Sequence, residues 1–219
     1  MTRRRRTYSV HEMHYTLQGE GAQAGHAAVF LRFSGCNLWS GREAQRDRGP
    51  GSCARWCDTQ FVGTGGIGGG RFGSAEELAA AVTSHWPAAE HQHRLVVCTG
   101  GEPLLQLDTA LIDALHAADF RIAVETNGTL PAPPGIDWLT VSPKADAPLR
   151  QFQGDELKLI FPQAALPPER LASLDFRHFF LQPLDDPARA EHTRAAVAYC
   201  QAHPQWRLSL QQHKWLGIP

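Results

Sequence analysis

Three cysteines carry the chemistry that this sequence makes most visible. Cys36 opens the run Cys36-Asn37-Leu38-Trp39, and after a polar insertion Cys53 and Cys57 follow in Cys53-Ala54-Arg55-Trp56-Cys57-Asp58-Thr59. Soft thiolates select iron–sulfur clusters, zinc or monovalent copper, whereas magnesium and calcium are met by oxygen. A structural zinc site normally takes four protein ligands, and no CxxC pair with a matching second pair occurs here. Three thiolates on a four-iron cluster leave one iron open to a substrate or cofactor. The bland alternative is a small core residue at Cys36 and incidental loop thiols at Cys53 and Cys57. Cys98 and Cys200, inside an expected strand and an expected helix, are read as small buried hydrophobes.

A cysteine cluster needs a scaffold, and the chain supplies alternating short apolar runs and amphipathic runs between Ala27 and Gln212, the pattern of an α/β protein with a largely parallel sheet. Strands are expected near residues 27–33, 94–98, 121–125, 137–141, 155–161, 177–182 and 206–211, with 8–13 as a further candidate. The clearest helix starts at Ser74, where Ser74 and Glu77 form a capping-box pattern ahead of an Ala-rich run to Trp86. Others are expected near 107–118, 167–173 and 187–202. The links 130–135 and 142–154 are too rich in Pro and Gly for good helices. A complete eight-unit barrel typically takes about 250 residues. The expectation is therefore an abbreviated, open (β/α) TIM-like barrel in one domain, with an irregular insertion over 37–73 around the cluster-binding loop and a flexible Gly-rich stretch at 63–70.

Length and composition agree. The chain has 219 residues, is 42% hydrophobic and 20% charged, and is thus an ordinary globular sequence rather than a disordered or fibrous one. Its 21 Lys plus Arg against 22 Asp plus Glu create no global field to gather nucleic acid or an anionic membrane. Apolar runs are far below the roughly 20 residues of a spanning helix. Residues 7–18 are polar where a secretory signal would be apolar, so a cytoplasmic address is expected, with reduced cysteines. Arg3 to Arg6 read as a solvated tail.

Several signals are set aside. Gly63, Gly65 and Gly68 match GxGxxG but follow no strand and lack a βαβ context. His11-Glu12-Met13-His14 is one residue short of HExxH. His85, His91 and His93 border a helix end, where they complement its dipole.

With Cys36-Asn37, Trp56-Cys57 and Gly100-Gly101-Glu102-Pro103 together, the chain resembles the radical S-adenosylmethionine (SAM) enzymes. That superfamily separates its cysteines by three and then two residues; here the gaps are sixteen and three. A long insertion after the first cysteine is known for one branch, the 7-carboxy-7-deazaguanine synthases of the queuosine pathway. The likeness continues through Tyr15-Thr16-Leu17-Gln18-Gly19-Glu20-Gly21, Arg32, Cys98 to Pro103, Glu125-Thr126-Asn127-Gly128, Ser142-Pro143-Lys144 and His213 to Pro219, almost the whole chain in order. The second gap departs from that branch, and Ala54 stands where its cysteine would be.

The resemblance implies a radical SAM carbon–nitrogen lyase. Cys36, Cys53 and Cys57 would hold a 4Fe-4S cluster whose open iron is chelated by SAM. Further SAM contacts would come from Trp56, Cys57, Asp58, Gly101, Ser142, Pro143, Lys144, Gln182, Pro183, Leu184 and Asp185. The implied substrate, 6-carboxy-5,6,7,8-tetrahydropterin, would meet Leu17, Gln18, Gly19, Arg32, Thr99 and the terminal carboxylate of Pro219, with Arg32 forking its carboxylate. Mg2+ would sit at Thr59. No catalytic group beyond cluster and SAM is implied. The reaction would take hydrogen from C6, contract the ring, expel ammonia and return the hydrogen to regenerate SAM. A homodimer covering an open sheet edge and an external low-potential electron donor such as a flavodoxin are also implied. Another radical SAM enzyme, such as a glycyl-radical activator, and a non-catalytic zinc or iron–sulfur module are the competing readings.

Overall fold

The computed structural model of the chain describes residues 7–48, 52–90 and 92–219. Nine strands form one sheet: β1 (Tyr8–Leu17), β2 (Ala27–Phe33), β3 (Gly70–Phe72), β4 (Leu95–Gly100), β5 (Arg121–Thr126), β6 (Trp138–Val141), β7 (Gln153–Phe161), β8 (Asp175–Pro183) and β9 (Trp206–Leu208). Their spatial order is β3-β1-β2-β4-β5-β6-β7-β8-β9. From β2 to β9 every pairing is parallel, while β1 runs antiparallel to both β2 and β3. The sheet stays open, with β3 and β9 at its edges. It is the abbreviated barrel expected of a chain too short for eight full units.

Side chains of a strand alternate between faces, so each strand feeds two environments. One face presents Val29, Leu31, Val96, Cys98, Ile122, Val124, Leu157, Leu159 and Leu181, all fully buried in the main core. Against it pack α1 (Ala75–His85), α2 (Thr109–Ala117) and α3 (Arg189–Ala202), through Leu78, Val82, Leu111, Ile112, Leu115 and Ala196. Fully burying one such Leu contributes roughly 1.5–3 kcal/mol. On the opposite face, Ala28, Leu95, Val97 and Ala123 form a small apolar floor. Above that floor, toward the strand C-termini, the same face turns polar: Arg32 is registered beside Thr99, Glu125 beside Thr140, and Ile160 beside Gln182.

The cap expected at Ser74 forms, and Asp108 caps α2 in the same way. Ser74 Oγ accepts from the Glu77 amide at 3.1 Å, and Asp108 Oδ1 accepts from the Leu111 amide at 3.1 Å. Two expectations are corrected. The helix expected at 167–173 is only a three-residue 3-10 turn, Pro168–Arg170, in which the Arg170 amide donates to the Pro167 carbonyl at 3.1 Å and the Leu171 amide to the Pro168 carbonyl at 3.0 Å. The Gly-rich stretch 63–70 is pinned rather than free: the Gly66 amide donates to the His11 carbonyl at 2.9 Å, the Met13 amide donates to the Ile67 carbonyl at 2.7 Å, and Gly70 begins β3 beside β1. The absence of bulky side chains there lets the loop lie on the strand. The last strand also ends earlier than expected, at Leu208. The Arg3–Arg6 tail and His91 lie outside the described residues.

Candidate active site

A cavity of about 420 Å3 opens at the carboxyl ends of the parallel strands, within the range of small-molecule sites. Cys36, Cys53 and Cys57 line it together, with Trp56, Asp58 and Thr59 from the same loop. Gly101, Ser142, Lys144 and Gln182 line it from the ends of β4, β6 and β8. Leu17, Gln18, Arg32, Thr99 and Pro219 complete the expected set on its walls. Gly19, Pro143, Pro183, Leu184 and Asp185, also expected at the site, are not among its lining residues.

The cysteine loop explains how the unusual second gap is accommodated. Ser52–Arg55 form a 3-10 turn, and the Trp56 amide donates to the Cys53 carbonyl at 3.1 Å. Ala54 is buried with Trp39 and Phe61 in a small separate core, against which Cys36 and Cys57 pack. The turn thus spends the extra residue on packing while Cys53 stays on the cavity. Arg46 ties the loop down, donating to the carbonyls of Ala54 at 2.5 Å and Cys57 at 3.1 Å. Burial pushes the Cys36 thiol above its usual range and that of Cys53 to about 11. These thiols therefore keep their protons until a metal replaces them. Among the described residues no three His, Cys, Asp or Glu side chains converge on one ion.

Beside the cysteines, the Gly-Gly turn allows a close approach. A Cβ on Gly101 would fall 2.6 Å from Cys36 Cβ, inside any real contact distance. Glu102 then locks the turn: its carboxylate, fully buried, accepts from the Leu104 amide at 3.0 Å, Thr126 Oγ1 at 2.7 Å and the Asn127 amide at 2.8 Å. Lys144 is half-buried. Its Nζ donates to the Ser142 carbonyl at 2.8 Å and Ser142 Oγ at 2.5 Å, and lies 5.8 Å from the Trp56 ring centroid. Burial pushes its pKa down.

The opposite wall holds a charge network that the sequence reading left without a role. Lys158, almost fully buried, bonds Glu20 and lies 3.3 Å from Glu125 Oε1. Gln18 Nε2 donates to the same Glu125 oxygen at 3.0 Å, and Gln211 Nε2 donates to Glu20 Oε1 at 3.1 Å. Burial works against both charges. Glu125 and Glu20 outweigh it at Lys158, which is held above its ordinary value, and Lys158 in turn draws Glu20 down to about 2. Glu156, on the same face of β7 and buried, is pushed up by desolvation. The signal was present in β7: Glu156 and Lys158 alternate with Leu157 and Leu159 at period two, inside a strand buried on both faces. Arg32, expected to fork a carboxylate, has its Nε held by Glu12 Oε1 at 2.6 Å, leaving the two Nη groups for a ligand. Lys214 was also missed; its Nζ lies 2.6 Å from both Asp58 Oδ2 and Asp185 Oδ2.

No family model matches the chain. It is 64% identical over 213 residues to a 7-carboxy-7-deazaguanine synthase of Caulobacter vibrioides, covering 97% of this chain and 100% of that one. It is 62% identical to a 7-carboxy-7-deazaguanine synthase of Bordetella pertussis, covering 97% and 99%. The chain belongs to the 7-carboxy-7-deazaguanine synthase family. A crystal structure of QueE from Escherichia coli matches with a TM-score of 0.69 at 30% identity, covering 94% of this chain and 95% of that one. In this family's chain, then, the end of the open barrel that carries the three thiols is also the end that carries the buried lysine and carboxylates. Among the described residues no helix is long and apolar enough to cross a membrane.

Proposed function

We propose that the chain is a radical SAM enzyme that converts 6-carboxy-5,6,7,8-tetrahydropterin to 7-carboxy-7-deazaguanine with release of ammonia. The observation that carries this reading is that Cys36, Cys53 and Cys57 line the same cavity as Arg32, Thr99 and Glu125. Cys36, Cys53 and Cys57 would hold the 4Fe-4S cluster, and Trp56, Asp58, Gly101, Lys144, Gln182 and Asp185 would surround SAM. When bound, the pair supplies a carbon-centred radical able to take hydrogen from an unactivated carbon.

Every other task falls to the chain itself. Arg32 offers two parallel donors to the pterin carboxylate, a geometry in which Arg outperforms Lys. Glu125, fixed by Gln18 and Lys158, offers a carboxylate acceptor to the donor-rich edge of the pterin ring. Thr16 Oγ1 donates to the Pro219 carbonyl at 2.9 Å and so holds the chain terminus at the cavity. Phe30 lines the cavity and packs on the apolar cluster of Ala28, Leu95, Val97 and Ala123; the enclosing walls would keep the target atom close. Thr59 brings one hydroxyl to the cavity. Mg2+ there would draw the remainder of its oxygen shell from the substrate carboxylate and water. The open edges at β3 and β9 suit pairing in a homodimer, and a low-potential donor such as a flavodoxin would supply the electron in the cytoplasm.

The direct test is anaerobic incubation of the iron-reconstituted protein with the carboxytetrahydropterin, SAM, Mg2+ and a low-potential reductant, followed by mass spectrometry. The expected result is a product lighter by one ammonia, with SAM not consumed. Unchanged pterin alongside SAM cleavage would overturn the substrate assignment.

A further inference from the structure

The last eleven residues bond to three separate parts of the cavity rim: the turn after β1, the end of β8 and the loop of Asp58. Ser209 Oγ donates to Gln182 Oε1 at 3.0 Å, at the end of β8, and accepts from the Gly21 amide at 2.9 Å. The Gln212 amide donates to the Gly19 carbonyl at 3.0 Å and Gln211 reaches Glu20. Gly19 lies so close that a Cβ there would come 2.9 Å from the His213 amide nitrogen. Pro219 is held by Thr16. Into this strap is set α4 (Gln212–Leu216), and from α4 Lys214 spans the opening to two loops distant in sequence, at Asp58 and Asp185.

Asp58 follows Cys57 directly, and Asp185 follows the end of β8. Both belong to the SAM side of the reading above, on which this inference rests, while Gly19, Glu20 and Pro219 belong to the pterin side. One five-residue helix therefore fastens to the two sides at once. An isolated exposed ion pair contributes little. Here a single partly buried ammonium is shared by two carboxylates, and those hydrogen bonds hold its pKa above the ordinary value against the opposing effect of burial.

We propose that Lys214 is a positioning residue that couples the two ligand sites: a molecule seated between the Asp58 and Asp185 loops sets the strap, and the strap sets the chain terminus and the Gln18–Glu20 turn around the pterin. By linkage the effect is reciprocal, so each ligand raises affinity for the other by the same factor.

The test is equilibrium binding, without reductant so that no turnover occurs. Reconstituted protein is titrated with fluorescent 6-carboxypterin in the absence and in the presence of saturating SAM. For the wild type, SAM is expected to tighten pterin binding by at least about 5-fold. In Lys214→Met both ligands should still bind singly, while the ratio falls to about one; Lys214→Arg should restore part of it. A Lys214→Met ratio equal to the wild-type ratio, or a wild-type ratio of one, would overturn the coupling. Failure of the wild type to bind either ligand would instead overturn the functional reading beneath it. Hydrogen exchange on the wild type gives an independent check. Carboxypterin alone should slow exchange around Asp185, and an unchanged rate there counts against the proposal.

Discussion

The two faces of one sheet follow opposite rules. On the helix-covered face, Leu31, Val96, Val124, Leu157 and Leu159 are fully buried and apolar, and their contribution is to stability. One residue away along the same strands, the cavity face buries Glu156, Lys158 and Gln182 almost as completely. Removing charges from water is expensive, and the mutual attraction of Lys158 with Glu20 and Glu125 offsets that expense without turning it into a large gain. The lesson is that burial alone does not mark a residue as scaffold: on one face it measures packing, and on the other it measures how firmly a binding group is held. Glu102 shows the intermediate case. It is buried at the site, yet its donors are the Leu104 and Asn127 amides and the Thr126 hydroxyl, so it braces the turn beside Cys36.

The largest expected effect lies on the cavity side. Cys53→Ala should lower bound iron from about four atoms per chain to near none after reconstitution, with the circular dichroism spectrum unchanged. An iron-loaded variant would show that Ala54's neighbour is not a ligand.

Next come two substitutions that separate the faces. Lys158→Met leaves the partly buried Glu20 and Glu125 without their cation and should cost roughly 3 kcal/mol of stability, together with pterin affinity. Leu111→Ala, on the helix side, should cost about 2–5 kcal/mol but leave pterin affinity unaltered. Denaturant unfolding and ligand titration on both variants check the contrast. Equal effects on binding would erase the distinction between the faces.

Acid sharpens it further. The Glu20 pKa is depressed in the fold, to about 2, so its stabilisation is complete above the ordinary carboxylate value and is lost as pH falls through the window down to about 2. Thermal melting from pH 7 to 3 should show a flat contribution from this pair near neutrality and a decline below about pH 4.5 that is absent from Glu20→Gln. The smallest effect belongs to a helix end on the far face. Ser74→Ala removes the acceptor for the Glu77 amide and should cost about 1 kcal/mol in a denaturant melt, without changing iron or ligand binding.

Much of this architecture was legible in local pattern. Strands at β2 and β4 to β8 follow from runs of branched and aromatic residues, and α1 from its capping box, because these signals act over a few residues. The cysteine trio was legible by residue type, since few side chains hold soft metals. Where the readings missed, the deciding interaction was remote. Over 167–173, where a helix is expected, the chain makes only the 3-10 turn Pro168–Arg170. The 63–70 loop looked free because its partner, β1, is some fifty residues away in sequence. The period-two place of Lys158 in a buried strand is visible in the sequence, but its partners are not, because Glu20 and Glu125 come from other parts of the chain.

By itself the sequence determined the sheet and the groups set around its end: three thiols in one segment, glycines where backbone must approach, and strands whose alternation feeds a buried core. Only the tertiary structure decided which charges face one another and what encloses the cavity. Lys158 meets Glu20 across 138 positions, and Lys214 meets Asp58 across 156. Pairings over such distances depend on strand order and loop path, and electrostatic energy depends on separation and burial in space, neither of which is written in any local run of residues.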